Sequence, residues 1–180
     1  MNKKRKKRIL IYILIGIVLY LVWSSFFSEH ATMKHASPES GFKYYAGEGS
    51  EVIMVLEGDE SAYVVGYEDK ANTSMLFYKK DGYWRLASFP IASFKIRYLD
   101  NDGWVTFSKY KDKDCYVEVY PSRGEIVIED SCGSEFVKLP NERYFYAVIK
   151  DYDENYWVSV NGQKISENSK VNLFKGWLNV

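Results

Sequence analysis

The sequence predicts an all-β extracytoplasmic domain carried on a single N-terminal transmembrane helix. Three observations lead to this prediction. A run of six basic residues precedes 19 residues without charge, and apolar side chains recur at a period of two from residue 51 onwards. Turn-forming pairs such as Asp-Gly and Asn-Gly separate these short apolar runs. Such spacing is typical of an antiparallel meander that folds as a sandwich, a curved sheet or a barrel.

The first 27 residues form the predicted membrane anchor. Residues 1–8 are a basic tail, and Ile9–Phe27 contains no Asp, Glu, Lys, Arg, His, Asn, Gln or Pro. As a helix, residues 9–27 would span roughly 28 Å, close to the ~30 Å hydrocarbon core of a bilayer. Basic flanks stay on the cytoplasmic side, so we expect a single-pass protein of the cell membrane with its C-terminal domain outside.

A cleaved signal peptide is the rival interpretation of the same residues. Signal peptides have an apolar core of about 7–15 residues that ends at an A-x-A-like site. The candidate sites here are poor, because Glu29 lies two residues before Ala31 and Lys34 lies two residues before Ala36. The sequence therefore favours an uncleaved signal anchor.

Residues 28–50 are rich in Ser, Gly and Glu, which predicts a juxtamembrane linker before the β domain at residues 51–180. This linker holds both histidines, His30 and His35, which we expect to be solvated. The β domain then lacks the histidine that Ser-His-Asp, Cys-His and histidine–metal chemistry require. It also lacks phosphate-binding and nucleophile motifs, so we expect a non-enzymatic protein without a cofactor.

Short strands follow along the rest of the chain. Asp81-Gly82 and Asn161-Gly162 are hairpin signals, since glycine adopts a positive φ without steric cost. The predicted strands are Val52–Leu56, Ala62–Tyr67, Met75–Tyr78, Tyr83–Leu86, Phe94–Tyr98, Trp104–Phe107, Cys115–Tyr120, Glu125–Glu129, Phe136–Leu139, Tyr144–Ile149, Tyr156–Val160 and Gln163–Ile165, with Val171–Leu178 as a further candidate.

One predicted strand shows a clear alternation. Phe94, Ile96 and Tyr98 alternate with Lys95 and Arg97. Successive side chains of a strand point to opposite faces of the sheet. We therefore expect the three apolar side chains to be buried and the two basic ones to face water.

Cys115 and Cys132 are the two cysteines of the chain. An even number outside the cytoplasm suggests a disulfide. A hairpin that turns at residues 121–124 would place the two cysteines on neighbouring strands, nearly opposite one another. The competing interpretation is a pair of buried free thiols.

Aspartates cluster at three predicted turns, namely Asp100-x-Asp102, Asp112-x-Asp114 and Asp151-x-Asp153-Glu154. Oxygen-rich loops of this kind can bind Ca²⁺. None has the spacing of the established calcium loop, and Asp is an ordinary turn residue. We therefore expect no metal site.

The net charge of zero is the sum of the charges of two parts of the chain, which we expect on opposite sides of the membrane. Six of the 24 basic residues and none of the 24 acidic ones lie in the first eight positions, so the remainder carries a net charge of −6. An acidic external domain argues against nucleic acid as a ligand.

Aromatic residues make up 17% of the chain. Exposed aromatic rings stack on sugars or anchor protein partners, whereas buried ones fill a thin core. The candidate binding residues are Trp84, Trp104, Trp157 and Trp177.

The overall plan resembles that of many bacterial envelope proteins, without a residue-level motif of any family. It combines a basic tail, one anchor in the lipid bilayer and a small β domain. We expect the domain to act by binding another envelope protein or a membrane complex. Binding of a carbohydrate or cell-wall polymer through exposed aromatic residues is the alternative.

Overall fold

A computed structural model describes residues 11–20, 33–88, 92–99, 103–111, 113–121, 125–140 and 142–169. Residues 11–20 are helical (α1), and all ten are exposed. Within the described residues no helix has both the length and the apolar character needed to cross a membrane. The predicted span Ile9–Phe27 lies partly outside these residues, and the candidate strand Val171–Leu178 lies wholly outside them.

In the described part of the chain, one further helix (α2, Pro38–Ala46) precedes twelve strands. The strands form three antiparallel sheets, which confirms the predicted all-β class. The first sheet is a meander of β1 (Glu51–Glu57), β2 (Ser61–Glu68), β3 (Ala71–Lys80) and β4 (Tyr83–Leu86). The second has the order β5 (Ala92–Tyr98), β6 (Trp104–Tyr110), β7 (Asp114–Tyr120), β10 (Phe145–Ile149) and β9 (Val137–Lys138). The third has the order β12 (Gln163–Ser166), β11 (Trp157–Val160) and β8 (Ile128–Asp130).

The sheets are stacked with the second sheet in the middle. Phe42 of α2 packs on the outer face of the first sheet with Val64 and Phe77. The first and second sheets meet in a core that we call the tyrosine core, which includes Tyr63, Tyr78, Tyr110, Tyr116 and Tyr146. The second and third sheets meet in an aliphatic core, which includes Val105, Phe107, Val117, Val119, Val158, Val160 and Ile165. Side chains of β7 alternate between these two cores, as the period of a strand requires.

Both predicted glycine turns are confirmed. Asp81 and Gly82 have φ values of 54° and 79°, and Asn161 and Gly162 have φ values of 51° and 84°. Positive φ at both central residues is the mark of a type I′ turn, whose twist matches that of the flanking strands.

The predicted hairpin across residues 121–124 is wrong. β7 pairs with β6 on one side and with β10 on the other, whereas β8 pairs with β11 in the third sheet. β10 offers β7 five paired residues, of which Phe145, Ala147 and Ile149 contribute to the aliphatic core, while β8 is only three residues long.

The predicted disulfide depended on that hairpin, and the two cysteines are free in the structure. Cys115 is fully buried on β7, opposite Ile149 of β10. Cys132 is exposed in the loop that follows β8. Cys115 thus lies in the second sheet and Cys132 in a loop after a strand of the third sheet, because pairing with β10 takes the place that the predicted partner strand would have occupied.

Residues 33–50 belong to the fold rather than forming only a linker. Ser37 caps α2 and exchanges hydrogen bonds with Ser40. His35 forms a bridge with Trp84, in which each backbone N–H donates to the other carbonyl at 2.9 Å. The expectation of a solvated His35 is therefore wrong, and burial lowers its pKa. His30 lies outside the described residues.

Candidate functional site

The main surface feature is an apolar stripe on β5, the edge strand of the second sheet. Phe94, Ile96 and Tyr98 are 52%, 49% and 60% exposed, and we call these three residues the β5 stripe. They alternate along one strand, so their side chains stand on the same face. Three half-exposed side chains of this size present on the order of 300 Å² of apolar surface, which is the size at which a patch often marks an interaction site.

The β5 stripe lies on the face of the second sheet that also carries the tyrosine core. Phe94 pairs with Ser108 of β6, and Tyr110, two residues further along β6, belongs to that core. Since residues two apart share a face, the first sheet covers this face over the central strands and over Ala92, and none of the described residues buries the β5 stripe.

An aromatic row crosses the same sheet next to the stripe. Tyr98, Trp104 and Tyr120 are direct partners across β5, β6 and β7, and Tyr144 precedes β10 at the corresponding position. The Trp104 and Tyr120 rings are stacked with centroids 4.2 Å apart, and Tyr120 and Tyr144 lie 4.8 Å apart. We call these four residues the aromatic row, and the stripe and row together the aromatic face. Rings that hold one another in place lose little conformational entropy when a partner binds.

The aromatic row continues into the tyrosine core. The Tyr144 ring stacks on Tyr146 at 6.2 Å, and Tyr146 accepts a hydrogen bond from Asn72 at 2.9 Å. Further in, the Tyr63 hydroxyl donates to the Glu118 carboxylate at 3.2 Å. Burial raises the pKa of Glu118, and hydrogen bonds to its ionised form, that from Tyr63 first, oppose this only in part. The aromatic row is therefore continuous with a hydrogen-bonded interior.

The opposite face of β5 is held by a buried carboxylate. Glu167 bonds the ammonium groups of Lys95 at 2.5 Å and Lys109 at 2.7 Å, and it accepts from the Tyr152 hydroxyl at 2.6 Å. Arg97 donates to the Glu167 carbonyl oxygen. Burial disfavours the carboxylate ion, but the hydrogen bonds from the lysines and Tyr152 outweigh it and lower the pKa of Glu167 to about 2.

The predicted orientation of this strand is therefore wrong. The basic residues Lys95 and Arg97 turn towards Glu167, and the apolar residues Phe94, Ile96 and Tyr98 face solvent. The physical reason is Glu167, some 70 residues away in the chain, whose carboxylate bonds Lys95 and whose carbonyl oxygen accepts a hydrogen bond from Arg97. Local alternation indicates that a strand has two different faces, but it cannot indicate which of them is covered.

The four predicted tryptophans are not brought together. Trp84 packs at the outer core beneath the ammonium group of Lys79, and Trp157 lies in the third sheet beneath that of Lys164. Trp104 is the one that joins the aromatic face, and Trp177 lies outside the described residues.

The other members of the aromatic face are not evident from the sequence. The alternation of Phe94, Ile96 and Tyr98 with basic residues indicates a strand, but the prediction placed these three side chains in the interior and they face solvent. Tyr120 and Tyr144 had no local signal, since only the pairing of β7 with β10 brings them together.

The aspartate turns provide no metal centre among the described residues, where no group of three or more His, Cys, Asp or Glu could hold an ion. Asp114 is buried and accepts hydrogen bonds from the Asp59 amide at 2.8 Å and the Ser61 hydroxyl at 3.2 Å. Its role is to tie β7 to the first sheet. Asp100, Asp102 and Asp112 lie outside the described residues.

Comparison of the chain with protein-family models, with curated protein sequences and with solved structures finds no significant match. The function therefore has to be inferred from the geometry of the aromatic face.

Proposed function

We propose that this protein is a membrane-anchored extracytoplasmic domain that binds another envelope protein through its aromatic face. The observation that carries the proposal is the β5 stripe, in which three large apolar side chains are about half exposed on an edge strand. Protein interfaces are enriched in Tyr, Trp and Phe, and a few such residues supply most of the binding energy.

The predicted anchor supports a partner at the membrane. Residues 11–20 form a helix with exposed apolar side chains such as Ile13, Leu14 and Leu19, a surface that lipid would cover. Only residues 28–32 separate the predicted span from Met33, where the description of the domain begins. Five residues reach at most roughly 18 Å, so the domain stays close to the bilayer surface and its partner has to reach that level.

Site-specific photo-crosslinking of the full-length protein in membranes tests this proposal. A photoreactive amino acid replaces Ile96 or, as a matched control, Val127, which is 58% exposed but lies beside the third sheet. We expect position 96 to give an adduct with one defined protein that is lost in a Phe94→Ser, Tyr98→Ser variant, and position 127 to give none. The same adduct from both positions, or none from position 96, would contradict the proposal.

Glycan binding is the second candidate, and the stacked rings of Trp104 and Tyr120 favour it because sugar rings pack on such faces. Tryptophan fluorescence of the full-length protein in detergent, titrated with peptidoglycan fragments, tests this alternative. It predicts a saturable change that disappears in a Trp104→Leu variant. An unchanged spectrum together with a defined protein adduct rejects it.

A further inference from the structure

We propose that the partner places a Lys or Arg side chain against the aromatic row, where the carboxylate of Glu118 binds its positive charge. This inference rests on the proposed function, since it names the chemistry by which the same surface recognises its partner. It is carried by the position of a partly exposed carboxylate among aromatic rings.

Glu118 lies where the aromatic row meets the tyrosine core. It is directly opposite Tyr146 of β10 and two residues before Tyr120, on the same face of β7. Trp104 pairs with Tyr120 from β6, and Tyr144 lies at the corresponding position before β10, so both are diagonal neighbours of Glu118. Diagonal neighbours in a sheet are roughly 7–8 Å apart, within reach of aromatic side chains. A cation bonded to this carboxylate can therefore also lie within ~6 Å of a ring, the range of cation–π attraction.

This carboxylate is accessible from the aromatic face. Glu118, Trp104, Tyr120 and Tyr144 are each partly exposed, whereas Tyr146 behind them is buried. Solvent therefore reaches the carboxylate on the side of the aromatic row. A long basic side chain suits this arrangement, because its apolar stem can pack on the rings while its charged end reaches the carboxylate.

The charge of Glu118 has no counter-ion in the described part of the chain. Its bonded partner from the first sheet is the neutral Tyr63 hydroxyl, at 3.2 Å. The basic side chains of the neighbouring strands, Lys95 on β5 and Lys109 on β6, are bonded to Glu167 on the opposite face. The aromatic face thus presents a carboxylate to which a partner can bring the cation.

A second carboxylate makes the surroundings of the aromatic row more negative. The Tyr67 hydroxyl donates to Glu142 at 3.4 Å. Burial raises the pKa of Tyr144, and the charge of Glu118, followed by those of Tyr120 and Glu142, raises it further. Complementary charge selects among partners, so this face favours a basic protein surface and repels acidic polymers.

Two short peptides that differ by one charge test the cation site directly. Acetyl-Leu-Lys-Leu-amide, or the same peptide with its lysine Nε-acetylated, is titrated into the full-length protein in detergent while tryptophan fluorescence is recorded. The variant is Glu118→Gln, which keeps an acceptor for the Tyr63 hydroxyl. The matched control is Glu129→Gln, which removes an exposed carboxylate from the third sheet. Urea unfolding checks that both variants are folded.

We expect the lysine peptide to bind the wild type and Glu129→Gln equally, and Glu118→Gln about tenfold more weakly, as for loss of a hydrogen bond between charged groups. The acetylated peptide should bind all three proteins at this weaker level. Equal binding of the two peptides to the wild type, an equal loss in both variants, or no binding to the wild type would overturn the inference.

Capture of the partner separates this inference from the proposed function. With the photoreactive amino acid in place of Ile96, Glu118→Gln should reduce the adduct about tenfold, and Glu129→Gln should leave it unchanged. Undiminished capture by Glu118→Gln contradicts the inference and leaves the proposed function standing. Absence of the adduct from every chain contradicts the proposed function, and the peptide titration then decides the cation site on its own.

Discussion

The two faces of the second sheet are built differently. One face meets the third sheet in the aliphatic core, and its buried carboxylate, Glu167, is matched by Lys95 and Lys109. The other face meets the first sheet in the tyrosine core, where the partly buried Glu118 has no cation bonded to it among the described residues, and this core reaches Ala92 of β5 but not the β5 stripe. On the first face a buried carboxylate is paired with two ammonium groups, whereas the second face carries a carboxylate whose hydrogen bonds only partly offset its burial, together with three half-exposed apolar side chains. This difference is the reason for proposing the second face as the binding surface.

The largest expected effect is the difference in unfolding free energy between replacing a buried phenylalanine and replacing a half-exposed one. Phe107→Ala opens a cavity in the aliphatic core and should lower the free energy of unfolding by about 4 kcal/mol. Phe94→Ala, at the bare edge, should change it by less than about 0.5 kcal/mol. Urea unfolding of the two full-length variants in detergent measures both values. Equal losses would show that the β5 stripe is covered like the core.

The second largest effect on stability is expected at Glu167. Glu167→Gln leaves Lys109 buried without its counter-ion and should cost about 3 kcal/mol at pH 7. The folded-state pKa of Glu167 is lowered to about 2 from its ordinary value of 4.5, so its contribution to stability is present above pH 4.5 and lost as pH falls towards 2. Unfolding measured across this range should be steeper for the wild type than for the variant. Parallel curves would contradict the assigned network.

A smaller effect on stability, of opposite sign, is expected when the charge of Glu118 is removed. Since the pKa of Glu118 is raised on folding, its ionisation costs stability as pH rises through the raised value. Glu118→Gln keeps an acceptor for the Tyr63 hydroxyl and removes the charge. We expect this variant to be more stable than the wild type at pH 7, and the difference to shrink at pH 4. A loss of stability at pH 7 would mean that the interactions of the ionised Glu118 outweigh the cost of its burial, and would contradict this prediction.

The smallest effect concerns reactivity rather than stability. Cys132 is exposed, whereas Cys115 is buried in the aliphatic core and burial raises its pKa. A maleimide should therefore label one thiol of the native protein and two after unfolding without reductant. Cys132→Ser should abolish the native labelling. Failure to label any thiol in the unfolded protein would show that the cysteines are bonded after all.

Much of the fold could be predicted from local patterns. Alternating apolar residues marked the strands, and Asp81-Gly82 and Asn161-Gly162 marked their hairpin turns, because these signals depend on neighbouring residues alone. The distribution of strands among three sheets could not be predicted, since the choice between β8 and β10 as the partner of β7 depends on packing between distant segments.

The site was harder to predict than the fold for the same reason. The orientation of β5 is decided by Glu167, and the burial of His35 by a bridge to Trp84, neither of which is close in sequence. Trp104 could be named as a candidate, but its stacking with Tyr120 follows from strand register.

Partner capture by stability-matched variants tests the central claim most directly. Ile96→Asp and Val127→Asp each place a charge on an exposed apolar position of the full-length protein, one on the aromatic face and one away from it. We expect both to unfold at the wild-type midpoint, with Ile96→Asp reducing capture of the crosslinked partner at least about tenfold, as for loss of an interface hot spot, and Val127→Asp leaving it unchanged. Equal capture by the two variants would contradict the assignment of the aromatic face as the binding surface.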